Sequence, residues 1–359
     1  MIRLNRRHVI AAMGAAAALP LGAGIARAQE PLKVGFVYVG PVGDFGWTYA
    51  HDQGRKLVEE TFGDKVKVTF VENVAEGPDA ERIIRQLAQE GNELIFTTSF
   101  GFMNPTVKVA RQFPKVHFEH ATGYQKAPNL GIYNARFYEG RAVIGTMAGM
   151  MSKTGTAGYI ASFPIPEVVM GINAFTLAAQ KVNPDFTTKV VWASTWYDPA
   201  KEADAARALL DQGADIITQH TDSPAALQAA EERGAFAFGQ ATDMSRFAPK
   251  AHLTAIEDNW GPYYVKRVQA QLDGAWEADD VWLGMADGEV VITPFRDNVP
   301  PEVAAAAEKV IAGIKDGSFQ IFAGPITDTK GALRVKEGET ISDTDLLKMD
   351  WYVKGVQGV

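Results

Sequence analysis

Two tryptophans stand just past apolar runs, each with a carboxylate near it: Trp47 three residues after Asp44, and Trp196 two residues before Asp198. An indole presents a flat apolar face on which a base can stack for about 1–3 kcal/mol. A carboxylate accepts hydrogen bonds from the ring or exocyclic N–H groups of such a base. Two indoles on opposite walls of a cleft would therefore sandwich a flat ligand, although sugars stack on tryptophan too. Polar and aromatic residues occupy equivalent places after the other apolar runs: Tyr38, Phe100 and His120 in the first half, then His220, Asp222, Gln240 and Asp243 in the second, with Asp258 and Trp260 beyond. None of these stretches supplies an arginine, which disfavours anionic ligands that want a fork of donors or a lysine. Each residue also has a structural reading. Asp198 before Pro199, and Asp222 before Ser223-Pro224, fit helix N-caps. His120 and His220 fit hydrogen-bonded strand ends, and the tryptophans could seal lobe edges.

These side chains need a scaffold that brings strand ends together. The apolar run 33–39 reads as a buried parallel strand, and 51–60 has helical spacing. Between them lies a glycine-rich turn, Gly-Pro-Val-Gly-Asp-Phe-Gly-Trp, at the carboxyl end of a first strand, where open α/β sheets bind ligands. Strands at 66–71, 93–98, 116–120 and 131–136 alternate with helices at 80–90 and 106–113. A small-residue helix, 140–151, precedes a second round with strands at 156–161, 188–193, 214–219, 235–239 and 252–257 and helices at 166–182, 199–212 and 223–233. Two βαβ series of similar length imply an α/β chain of two doubly wound lobes with parallel sheets. About 330 residues is also long for a single core. Lobe one is expected to hold residues 29–135 and about 256–282, and lobe two about 136–255 and 283–359. The chain would cross near 134–136, 251–257 and 281–284, with helix 261–273 and the tail from 281 passing back between the lobes.

The first 28 residues read as a leader: a twin arginine (Arg6-Arg7), an apolar alanine-rich run, then Ala26-Arg27-Ala28 as a cleavage site before Gln29. The apolar run is too short for a membrane span. Removing the leader takes away four arginines and no acid, moving the formal charge from −8 to −12. An acidic surface without a basic stripe argues against nucleic acid and anionic membrane as partners. The chain has no cysteine, which excludes disulfides and thiol chemistry, and a lipid anchor on cysteine is not expected. There is no phosphate-loop, HExxH or Gly-x-Ser-x-Gly motif, and no two of the six histidines are four residues apart. No metal, cofactor or catalytic residue is expected.

The strand-end stretches resemble the basic membrane protein family of solute-binding proteins, which includes purine nucleoside receptors, over about residues 34–324. The family's opening turn falls on Asp44-Phe45-Gly46-Trp47-Thr48, and its second motif on Thr195-Trp196-Tyr197-Asp198, so its stacking phenylalanines become Trp47 and Trp196. The ribose-binding positions depart: His120-Ala121-Thr122 replaces an aspartate region, His220-Thr221-Asp222-Ser223 a glycine-rich loop, and Asp258 a lysine. The resemblance thus implies a type I periplasmic binding protein fold with a hinge of about three crossovers, closing on a free purine base. It further implies delivery to an ABC permease with a separate ATPase, and a periplasmic, non-catalytic monomer. A nucleoside or sugar ligand on the same fold, or an exported nucleoside hydrolase, are the alternatives.

Overall fold

Leu94–Thr97 is buried at every position and Leu32–Val37 nearly so, as strands are when helices cover both faces of a sheet. The computed structural model describes residues 30–359, and Leu32–Val359 form one compact unit. The leader expected at 1–28 lies outside the described residues. The first series is β1 (Leu32–Val37), α1 (Gly46–Phe62), β2 (Val66–Val71), α2 (Pro78–Gln89), β3 (Leu94–Thr97), α3 (Met103–Gln112), β4 (His117–Ala121) and β5 (Leu130–Ala135). The second begins with α4 (Phe137–Met151), β6 (Thr156–Ala161), α5 (Pro166–Val182), β7 (Thr187–Trp192) and α6 (Pro199–Asp211). It continues through β8 (Ile216–Gln219), α7 (Ala225–Glu232), β9 (Phe236–Gly239) and β10 (His252–Asp258). Then come α8 (Gly261–Leu272), β11 (Asp280–Leu283), β12 (Val290–Ile292), α9 (Pro301–Lys315), β13 (Ile326–Thr327), β14 (Leu333–Val335), α10 (Asp343–Leu346) and β15 (Val356–Gln357).

The first sheet has the order β2-β1-β3-β4-β5-β11, every pair parallel. The second has the order β15-β7-β6-β8-β9-β10-β12, parallel except for β12 against β10. In both, the strand order reverses beside the first strand of the series. The connections after β1 and β3, and after β6 and β8, therefore leave in opposite directions and open a crevice at the strands' carboxyl ends.

Three segments carry the chain between the sheets, after β5, β10 and β11. The middle one lies at Asn259-Trp260, not within 251–257, because Leu253–Ile256 is a fully buried strand beside β9. The tail also differs from expectation: α9 packs on α4, and β15 extends the second sheet beside β7 instead of running between the lobes. The small residues of α4 do permit close packing, since a β-carbon on Gly145 would lie 2.3 Å from the Phe175 carbonyl oxygen of α5. Among the described residues, no helix is long and apolar enough to cross a membrane.

Candidate ligand-binding site

A narrow slot lies between the carboxyl ends of the two sheets. Every residue lining it follows a parallel strand. Val39 and Trp47 come after β1, Ser99 and Phe100 after β3, and Thr122 after β4. Across the cleft, Glu167 comes after β6, Trp196 after β7, His220 and Asp222 after β8, and Gln240 after β9. Thr122, Ser194 and Ala241 hold left-handed backbone at φ 59°, 52° and 60°, all in loops that shape the slot. Non-glycine residues accept such angles at a cost, and they concentrate at binding sites.

The lobes are closed on one another. The Gly46 N–H donates to Thr242 Oγ1 at 2.8 Å, the Trp47 N–H donates to Asp222 Oδ1 at 3.2 Å, and Arg246 pairs with Asp44. Phe45 stands edge-on to Phe247 at 5.2 Å. From lobe one, Glu76 Oε1 accepts from the Trp196 indole N–H at 3.2 Å and from Ser99 Oγ at 2.6 Å, so it ties the lobe-two ring to the lobe-one rim. Gly46, with φ 76°, lies tightly against the opposite lobe, where a β-carbon would sit 2.8 Å from the Asp222 carbonyl oxygen. Gly46→Ala should therefore hinder closure while each lobe still folds. We expect affinity to fall by about tenfold by calorimetry, from left-handed strain of roughly 1–2 kcal/mol plus the contact.

Each indole has a different support. Trp47 donates its ring N–H to the Thr98 carbonyl at 2.6 Å, stands edge-on to Trp260 and packs at a tilt against Phe137. Trp196 lies edge-on to Phe163 at 5.1 Å. The polar rim is tuned by burial. His220, whose Nε2 lies 3.4 Å from Glu167, has its pKa lowered chiefly by burial, with the Glu167 carboxylate opposing the shift. Burial pushes Asp222 up to about 8, with Glu202 adding to the shift and the Trp47 N–H opposing it.

With this topology and cleft in view, the chain can be set beside known proteins. A solved ABC-transporter solute-binding protein from Aeropyrum pernix superposes with a TM-score of 0.70 at 17% identity, covering 88% of this chain and 95% of that one. Residues 32–319 match the family model described as "ABC transporter substrate-binding protein PnrA-like". The chain belongs to that family. A purine-binding protein of Brucella abortus is 60% identical over 333 residues, 93% of this chain and 95% of that one. A putative ABC transporter glucose-binding protein of Haloferax volcanii is 38% identical over 92% of this chain and 81% of that one.

For a PnrA-like substrate-binding protein, the placement of the candidate residues divides cleanly. Trp47, Phe100, Trp196, His220, Asp222 and Gln240 line the slot. Tyr38 does not: its backbone still pairs with Val71 at the end of β2, so its side chain continues the Phe36 face into lobe one, beside Phe70 and 3.5 Å from Asp52. His120 is buried too, bonded to Thr97 Oγ1 at 2.7 Å, and burial lowers its pKa to about 3. Asp198 caps α6 by accepting from the Lys201 N–H. Asp44 and Asp243 line a separate groove between α1 and the loops after β9 and β10. Asp258 borders that groove but is 5% exposed, and its buried carboxyl lies within electrostatic reach of Arg141 and Asp222, behind the slot. Trp260 is 1% exposed and stacks on His51, so it buttresses Trp47 from behind. Glu119, beside His120, is a buried acceptor for Tyr263, Arg267 and Trp276, bolting α8 to the first sheet. Sequence reasoning missed Glu167 and, behind the slot, Arg141. Glu167 follows Pro166 on the first turn of α5 and reads there as an ordinary first-turn helix acid, although the loop before it carries Phe163, while Arg141 sits inside the small-residue helix α4 away from any strand end.

Proposed function

We propose that this substrate-binding protein captures a free purine base in the slot and hands it to an ABC permease powered by a separate ATPase, with no chemistry of its own. The observation that carries the reading is the pair of indoles, one from each lobe, lining one slot whose rim offers Glu167, His220, Asp222 and Gln240 to a ring edge. The 60% identity to a purine-binding protein supports the same ligand class. A leader ending before Gln29 would place the mature chain in the periplasm, where it works as a monomer. Hinge motion at the three crossovers would open and close the slot, and exclusion of water makes each rim group discriminating, because a wrong edge leaves a buried partner unpaired.

One observation favours a nucleoside instead. A second, mostly apolar chamber shares Phe100, Thr122 and Glu167 with the slot and could receive a sugar. Calorimetry against adenine, guanine, hypoxanthine, xanthine and their nucleosides, with glucose as a further arm, separates these readings. Bases binding at least tenfold tighter than their nucleosides support the proposal. Tighter nucleosides move the sugar into the second chamber, and binding of glucose alone overturns the purine assignment. An ultraviolet spectrum of ligand released by heat gives an independent check.

A further inference from the structure

We infer that Arg141 is a positioning residue that holds the Gln240 amide as a hydrogen-bond donor into the slot, so that the bound ring must present an acceptor there. The inference rests on the purine reading above and adds the polarity that the ligand edge must have.

Arg141 is 1% exposed, on the second turn of α4. Its guanidinium donates to Thr218 Oγ1 at 3.2 Å and to Gln240 Oε1, and lies over the Tyr159 ring at 5.4 Å. A guanidinium has five donors and no acceptor. Whatever amide atom faces it must be the carbonyl oxygen, and the amide nitrogen must point the other way. Gln240 is 5% exposed and lines the slot, and its Nε2 meets no acceptor among the described residues. The ring of Tyr159 and the Thr218 hydroxyl restrain the arginine on both sides, so the amide cannot turn over without abandoning a charge-assisted bond.

On the same side of the cleft a second side chain offers the opposite polarity. Glu167, 3.4 Å from His220 Nε2, lines the slot, and a carboxylate has only acceptors to present to a ring. Gln240 and Glu167 therefore demand different things of a ring: a lone pair opposite the amide and an N–H opposite the carboxylate. Of these, the amide is the informative one, because a free glutamine would read either polarity by flipping. Arg141 removes that freedom.

Analogues that replace one ring nitrogen by C–H delete an acceptor and keep the shape. Calorimetry would use adenine and hypoxanthine with their 3-deaza and 7-deaza analogues on the wild type, Gln240→Leu and Arg141→Met. Changing the 6-amino group for the 6-oxo group completes the panel. In the wild type, one of these changes should lower affinity by roughly tenfold or more, the effect of leaving a buried donor unpaired. The same change should alter affinity less than twofold in Gln240→Leu. In Arg141→Met the amide is free to turn, and the ratio should collapse toward one although the parent purine still binds. That ratio compares ligands on one protein, so a general loss of fold does not move it. Arg141→Lys, which keeps the charge without the planar fork, should give an intermediate ratio and serves if the methionine variant does not fold. Wild-type ratios retained within twofold in the folded variants overturn the inference while leaving the purine reading intact. A wild type that binds no purine overturns both.

Discussion

Trp47→Ala is expected to weaken binding of the preferred purine by about 10–100-fold, the loss of one aromatic face from a stacked base. The effect should be large because this ring is held rather than hung. Its N–H is fixed to the Thr98 carbonyl, and Trp260, His51 and Phe137 brace its edges, so little ordering remains to be done when a ligand arrives. Trp47→Phe keeps a flat face but gives up the bond to Thr98, and should lose less. Trp196→Ala should match Trp47→Ala in size for an additional reason: it removes a stacking face and also the partner through which Glu76 ties the lobes. Calorimetry on each variant, with circular dichroism to confirm the fold, measures this. If Trp47→Ala binds as well as the wild type, the ring sandwich is wrong, whatever else the slot holds.

Both indoles were legible in the sequence because each follows a recognisable strand in a loop that has no structural need of so large a ring. The architecture was legible for a related reason. Two βαβ series leave a period of apolar runs that only parallel sheets explain, and the strand-end rule then puts Trp47, Phe100, Trp196, His220, Asp222 and Gln240 near one crevice. The same rule misplaced Tyr38 and His120, since being near a strand end does not say which way a side chain turns; both turn into lobe one. It misplaced Asp44 and Asp243 because a cleft has two flanks, and only the folded chain distinguishes them, while Asp258 turns inward behind the slot toward Arg141. Arg141 was invisible for the opposite reason. It reaches the slot through the interior, from a helix chosen for close packing on α5, and an arginine between Gly140 and Ala142 reads as a surface residue until its burial is known.

The slot's other strong response should be to pH, through Asp222. Burial holds its carboxyl up to about 8, so at neutral pH it is the acid and not the carboxylate. One oxygen accepts the Trp47 N–H at 3.2 Å, which leaves the other to carry the proton and donate. For a purine that takes this hydrogen bond, affinity should be level below pH of about 8 and then fall by up to tenfold per unit as the donor is lost. Asp222→Asn keeps an oxygen for Trp47 and a donor for the ligand at every pH. The wild-type to variant ratio should therefore be flat and then decline, with the ligand's own ionisation cancelling. Stability moves in the same sense over a different window. The unfolded chain releases this proton near the ordinary value of 3.8 and the folded chain holds it to about 8, so the residue's contribution is full below the lower value, declines between the two, and is level above the higher. Melting temperatures measured across that window should show the wild type losing ground to Asp222→Asn as pH rises. Parallel melting curves, together with a constant affinity ratio through pH 8, would mean that Asp222 is ionised in the slot and that the donor facing the ring is another group.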